Sequence, residues 1–472
     1  MINYFKGTFI GRLLLLILLY LALRLPLLLI GIPLTLPELK FMLIGERMAS
    51  GFSMYQEIYD STAPISAALF WIIDLLFGRS VLAYRLVALL LLLIQGVRFN
   101  AILVRNNLQG EKSYIPALLY LVAGSTFFEL DTLSPLLIGH TFIIFSLRYF
   151  IAFTKEGFNN KKLFKAGFML GLAALSFLPL TLYLIAGFFA IVLFASNAFR
   201  SFLLMLCGFL IPYAVATTYY LYSNSLSYFI DFNLLASWTL EFDFLLSPLD
   251  LMKIFAAPLL VLLLSVIKMP TVTLGLTTQQ RFLQLMFVWL FTAILVAFIS
   301  KEVSGTTFIL FLPLLAYFGY FLFQRRSRKW ISDVAFLLFL LVVAAFRYHD
   351  VLHLQTYTHI NTAPLLVPKA HAYPQVEQQK IVVLGPDISF YKENRLATPY
   401  LNWQLSQQQF QDLEYYSSIF RIYRNFTKET PAFIIDQAGV VPILQEKLPG
   451  IFNNYKLVQA PSLYKLQNQQ AE

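Results

Sequence analysis

Cysteine is all but missing. The one residue, Cys207, lies inside an apolar run, which excludes an intrachain disulfide and any metal site built from several thiolates. Charge is scarce too: Asp, Glu, Lys and Arg make up 13% of the chain, against about a quarter in a soluble protein. No fixed-period repeat is present, which argues against a solenoid. Nor is there a matched pair of Gly/Pro-broken helices of the kind many transporters use.

Apolar side chains take the place of charge. They form 58% of 472 residues, with 46 Phe and 26 Tyr, and the mean hydropathy is +0.69. They also come in blocks such as 13–32 (interrupted by Arg24), 86–97 and 202–216, which a water-facing loop could not tolerate. A bilayer needs about 20 apolar residues per helix. The pattern predicts spans near 11–32, 81–103, 113–128, 133–153, 163–178, 180–197, 201–222, 252–267, 282–299, 306–323 and 331–347. The expected fold is therefore mainly α: a polytopic helical membrane bundle of about eleven spans with a small α/β external C-terminal domain. Lys6 and Arg12 before the first run read as a retained signal anchor.

The net charge of +10 does not signal nucleic acid, because the bases punctuate apolar segments instead of lining one face. With the N-terminus cytoplasmic, the inner gaps and their edges collect Arg105, Lys112, Lys155, Lys161, Lys162, Lys165, Arg200, Lys268, Arg281, Arg325, Arg326, Arg328 and Lys329. The outer gaps before the tail hold only Lys40, Arg47, Arg79 and Lys301. This bias places the protein in the plasma (inner) membrane with its C-terminal domain external. Counting the short run 63–77 as a span would reverse everything downstream, so it is placed in the first external loop as an interfacial or re-entrant helix. The expected domains are a membrane domain over 1–347 with a large loop at about 33–80, a linker over 348–379 and a soluble α/β domain over 380–472.

The first loop opens with an amphipathic stretch after Pro37, expected to lie along the membrane surface. Glu38, Glu57, Asp60, Glu129, Asp131, Asp231, Glu241, Asp243 and Asp250 gather in the outer loops, where substrate or metal could reach them. The plainer reading is that solvated loops tolerate acids anywhere.

The segment from Glu38 to Arg85 resembles the first external loop of the GT-C glycosyltransferases. Its matching positions are Glu38, Gly51, Tyr55, Glu57, Asp60 and Pro64, then Leu76-Phe77-Gly78-Arg79-Ser80 and Ala83-Tyr84-Arg85, with Asp131 as the acid of the second loop. The resemblance covers about the first 150 residues. It implies hexosyl or pentosyl transfer with inversion from a polyprenyl-phosphate sugar to an envelope or lipid-linked acceptor at the outer face. Such transfer needs a carboxylate base, here Glu38, Asp131 or Asp60, to take the acceptor proton. Cations must steady the leaving phosphate, for which Arg79, Arg85 and Lys301 are candidates, with Glu57 a further substrate contact. Glu38 and Asp131 could also hold a divalent cation. The chain departs from the family at Pro37, which stands where the family has the Asp of an Asp-Glu pair. That leaves a catalytically inactive envelope scaffold as one alternative, and a transporter or flippase for a lipid-linked substrate as another.

His349 and His353 stand four apart as in zinc proteases, but the intervening acid is Asp350 and the segment leaves the last span, so a structural role is expected. His140, inside a predicted span, reads as a packed polar contact. In the tail, 380–385 and 431–436 read as strands, 406–426 as a helix with Ser406 as a possible N-cap, and 441–448 as a short helix. Residues 455–458 and 463–466 read as a hairpin. The tail has no P-loop or G-x-G-x-x-G. Tyr391, Tyr400 and Trp403 could stack on a sugar but are expected in its core, and Asp436 is its most site-like acid.

Overall fold

A computed structural model describes the chain except residues 1, 157–159, 195–196, 237–242, 301, 325–328, 369–372, 374–375, 460–461 and 468–472, and the side chains of 3, 152–156, 194, 243, 302 and 329. The helices follow the apolar runs. α1 (Ile10–Ile30) leads to two loop helices, α2 (Leu36–Ala49) and α3 (Pro64–Phe77), and then to α4 (Val81–Arg105). Next come α5 (Ile115–Ala123), α6 (Pro135–Glu156), α7 (Asn160–Ala174), α8 (Tyr183–Phe194) and α9 (Ala198–Tyr222). One turn, α10 (Leu226–Phe229), precedes α11 (Pro248–Ile254) and α12 (Ala256–Lys268), which meet at a 73° bend. α13 (Thr277–Ile299), α14 (Leu312–Phe323) and α15 (Lys329–Arg347) close the apolar series.

This is a multi-pass membrane protein. Among the described residues six helices are long and apolar enough to cross a bilayer, or seven with the bent pair. Each expected span coincides with a helical element, but α5, α8 and α14 are shorter than the runs expected there. α5 has nine residues, about 13 Å of helix, and every one is buried. A helix that short reaches across only part of a bilayer and is surrounded by protein.

The chain forms two compact units. The first comprises Met1–Ile32, Leu82–Thr218 and Trp238–Pro364; the second comprises Pro33–Val81, Tyr219–Ser237 and Leu365–Glu472.

In the first unit, loop contacts sort the helix ends into two sets. At one end Gly7 N donates to Lys112 O (2.9 Å), Tyr114 N to Phe5 O (2.9 Å) and Gln279 Nε2 to Asn107 O (2.9 Å). Glu111 N donates to the Tyr320 hydroxyl there at 2.9 Å. At the other end Arg85 donates to Ile32 O (3.0 Å) and Gly305 N to Glu129 Oε2 (2.8 Å), and β1 (Asp243–Phe244) pairs with β2 (Glu302–Val303). Because Ile32 and Arg85 touch, the chain between them starts and finishes at the same end and makes no net crossing.

Within the bundle α7 and α9 meet at backbone distance. A Cβ on Gly167 would stand 1.9 Å from Met205 O, and one on Gly208 would stand 2.2 Å from Phe164 O. Small residues at four-residue spacing, Gly167 and Gly171, allow this approach, the usual device where lipid removes the hydrophobic drive for helix pairing. His140 accordingly sits in a polar knot, its Nδ1 3.1 Å from Gln95 Oε1, which also accepts from the Tyr120 hydroxyl.

The second unit joins the first loop to the tail. α2 starts at the Thr35 cap, whose Oγ1 accepts from Glu38 N at 3.3 Å, and buries Leu39, Phe41, Met42, Leu43 and Ile44 against α3 and the tail. It is covered on more sides than a helix lying on a membrane would be. The tail carries a five-stranded sheet of β3 (Lys380–Leu384), β4 (Arg395–Leu396), β5 (Phe433–Asp436), β6 (Tyr455–Gln459) and β7 (Leu463–Leu466). Its order is β4-β3-β5-β7-β6, parallel across β4, β3 and β5 and antiparallel beyond. Val382, Leu384 and Ile434 face Phe410, Ile422 and Phe426 in a core that also takes Tyr59 from the first loop. Tyr59 N donates to Pro399 O (2.8 Å), and Asn402 N donates to Tyr59 O (3.1 Å). The expected helix over 406–426 is two helices, Trp403–Gln411 and Tyr416–Lys428. The N-cap is Asn402, accepting from Gln404 N at 3.1 Å, because Ser406 already lies inside the first turns and donates back to Asn402 O.

Gly167→Leu is expected to lower the thermal midpoint of the purified protein by at least about 4 °C, because backbone must move. Gly275→Ala, where an added Cβ meets nothing within 4 Å, is expected to leave it unchanged. Differential scanning fluorimetry in detergent checks both.

Candidate functional site

Asp131 ends a 3-10 turn, Phe128–Asp131, and is buried in the first unit. Its Oδ2 accepts from Arg347 Nη2 at 2.6 Å, and its Oδ1 lies 3.0 Å from Arg24 Nη1. The second contact is off the N–H line, a meeting of charges more than a hydrogen bond. Both arginines are fully buried and otherwise committed to main-chain carbonyls and one hydroxyl. Arg24 donates to Gly124 O and Leu130 O and, through Nε, to Ser125 Oγ at 3.2 Å. Arg347 donates to Leu23 O (2.7 Å) and Ser125 O (3.3 Å). The Tyr20 ring lies 5.0 Å below the Arg24 guanidinium. Sequence reasoning missed these partners, though Arg24 inside an apolar run was a signal: such a charge needs a buried counter-ion. Arg85, in the same unit, donates through Nη1 to Ile32 O at 3.0 Å.

The other described candidates lie in the second unit. Glu38 is buried at 1% exposure in the first turn of α2. Asp60, also buried, accepts from Thr62 N (2.8 Å) and Thr62 Oγ1 (2.5 Å) and from Asn402 Nδ2 (3.4 Å). Arg79 donates to Tyr391 O and to Asn394 O (3.0 Å) and pairs with Glu46 at 3.4 Å. Glu57 accepts from Ser53 N (2.6 Å) and pairs with Lys428. Beside that pair Arg47 meets Glu429 (2.9 Å), and the two pairs with Arg424 line a cavity of about 190 Å³. Arg47, Arg424, Lys428 and Glu429 were not foreseen, since charges on amphipathic helices read as solvated faces. Lys301 lies outside the described residues.

Other expectations resolve locally. His349 bonds Asp350 Oδ1 (3.0 Å) and Thr358 Oγ1 (2.6 Å), a turn contact. Asp436 caps a helix start, accepting from Val440 N (3.1 Å) and Val441 N (2.8 Å). Tyr391, Tyr400 and Trp403 pack in or against the tail core, as expected. Among the described residues no three His, Cys, Asp or Glu side chains come together to hold a metal, and Asp131 gives both oxygens to arginine. The described residues therefore do not make a divalent-cation site of three or more such ligands.

The architecture matches the GT-C-like fold. Over 97% of the chain it matches the crystal structure of ArnT from Cupriavidus metallidurans bound to undecaprenyl phosphate, with TM-score 0.61, 13% identity and 98% of that chain covered. The apo ArnT structure matches with TM-score 0.58 and 12% identity, covering 97% of each chain. No protein-family model and no curated protein matches the sequence.

Asp131→Ala would leave two buried guanidiniums uncompensated and is expected to cost about 3–5 kcal/mol, read as a large fall in thermal midpoint. Burial alone would raise the Glu57 pKa, but Lys428 and the Ser53 groups outweigh it and hold it below the ordinary value. The pair's contribution to stability is then complete above the ordinary carboxylate pKa and lost as pH falls through the lowered one. Lys428→Met is expected to flatten this acid-side loss, measured by unfolding midpoint against pH.

Proposed function

We propose that the protein is a membrane glycosyltransferase moving a sugar from a polyprenyl-phosphate donor to an envelope or lipid-linked acceptor. The observation that carries this reading is the full-length fold likeness to a protein crystallised with undecaprenyl phosphate. The concentration of bases at the end holding Lys6, Arg105 and Lys112 supports a cytoplasmic position for that end, which puts the Asp131 end outside. The soluble tail, beyond a linker at 348–379, is external on the same reading.

In the transfer, the acceptor oxygen forms its bond to the sugar's anomeric carbon as the bond to the donor phosphate breaks. The acceptor proton goes to a carboxylate, and the electron pair leaves with the phosphate. Glu38, in the first turn of α2, is the proposed base. Asp60 is a second candidate. Asp131 acts by fixing Arg24 and Arg347. Arg79, Arg85 and Lys301 are the proposed cations for the leaving phosphate, with Glu57 an acceptor contact.

One second reading has its own observation. Pro37 replaces the family's acid and Asp131 is locked by two arginines, which favours a catalytically inactive envelope scaffold. Glycolipid and glycan profiles of a deletion strain complemented with wild type or Glu38→Gln separate the two. The enzyme reading expects a product that vanishes on deletion and falls at least about 100-fold in the variant. Unaltered glycans on deletion would leave the scaffold.

A further inference from the structure

At the end of the first unit remote from Asp131, arginines converge on one groove. α4 runs from Arg85, beside Ile32, to Arg105, beside the turn at 106–114, and 20 residues at 1.5 Å set these about 30 Å apart. Near its far end Arg98 and Arg105 lie seven residues apart on one helix face, and Arg148 of α6 comes in from the side. The three line a cavity of about 160 Å³ and are all exposed. Its floor is apolar: Ile102, Phe145 and Met169.

Arginines on membrane helices are costly unless their heads reach water or an anion. Ordinary snorkelling scatters them around the protein. Here they share one groove to which no described acid contributes. Among the described residues Arg98 and Arg148 make no ion pair. Arg98 instead rests 5.5 Å from the centroid of the Phe145 ring, which leaves its N–H fork available for an acceptor. A cationic rim over an apolar floor suits an amphiphile, and the planar guanidinium fork suits phosphate oxygens.

We propose that this groove binds the phosphate headgroup of an anionic membrane lipid, with the lipid's chains along the exposed face of α4. The site is separate from the proposed transfer chemistry and stands whether or not that reading holds.

The test is native mass spectrometry of the full chain released from micelles holding equal phosphatidylglycerol and phosphatidylcholine. Wild type is expected to retain phosphatidylglycerol selectively. Each basic side chain at an anionic surface contributes about five-fold, so Arg98→Gln/Arg148→Gln should lower retention by about twenty-five-fold. Arg98→Lys/Arg148→Lys, which keeps the charge, should retain most of it, and this separates lost binding from lost folding. Equal retention of the two lipids by wild type would overturn the proposal, as would unchanged retention in the glutamine variant. Displacement of the lipid by millimolar inorganic phosphate would overturn the lipid as the source of the phosphate.

Discussion

The first unit hangs on two arginines that share one aspartate. Arg24 comes from α1, Arg347 from the end of α15, and Asp131 from the turn before α6, so one buried cluster ties the first and last spans to the second loop. Taking such charges out of water costs several kcal/mol each, and the cost is met only because nearly every donor finds a carbonyl, a hydroxyl or the carboxylate. Such a network constrains geometry more than it adds stability. It holds the second loop at a set position, with each Asp131 oxygen facing an arginine.

The second unit rests on a different principle. Its sheet is short, and its core is completed by Tyr59 from a loop more than three hundred residues earlier in the chain. Asp60, next to it, is held by Thr62 and by Asn402, which also caps the following helix. The candidate acids of the first loop are thus positioned by the tail, which gives the tail a structural role beside any part in binding acceptor.

Much of the fold was legible. Apolar runs located the long helices of the bundle, because a lipid-facing helix must be apolar along its length whatever its neighbours. The strands at 380–384 and 433–436 and the final hairpin were equally plain, since buried β-branched runs bounded by turn residues have few other readings. Helix lengths were less legible. α5 is apolar because protein surrounds it, and burial in protein leaves the same composition as burial in lipid.

The sequence by itself determined a multi-pass membrane protein with a small α/β tail, and the Glu38–Arg85 pattern pointed to the GT-C fold. These depend on composition and local spacing, which each segment carries alone. Only the tertiary structure decided that Asp131 is clamped by Arg24 and Arg347, that the first loop shares a core with the tail, and that Arg98, Arg105 and Arg148 meet in one groove. Each of these joins residues distant in sequence, and the partner of a buried charge is set by which helices pack together, a property no single segment holds.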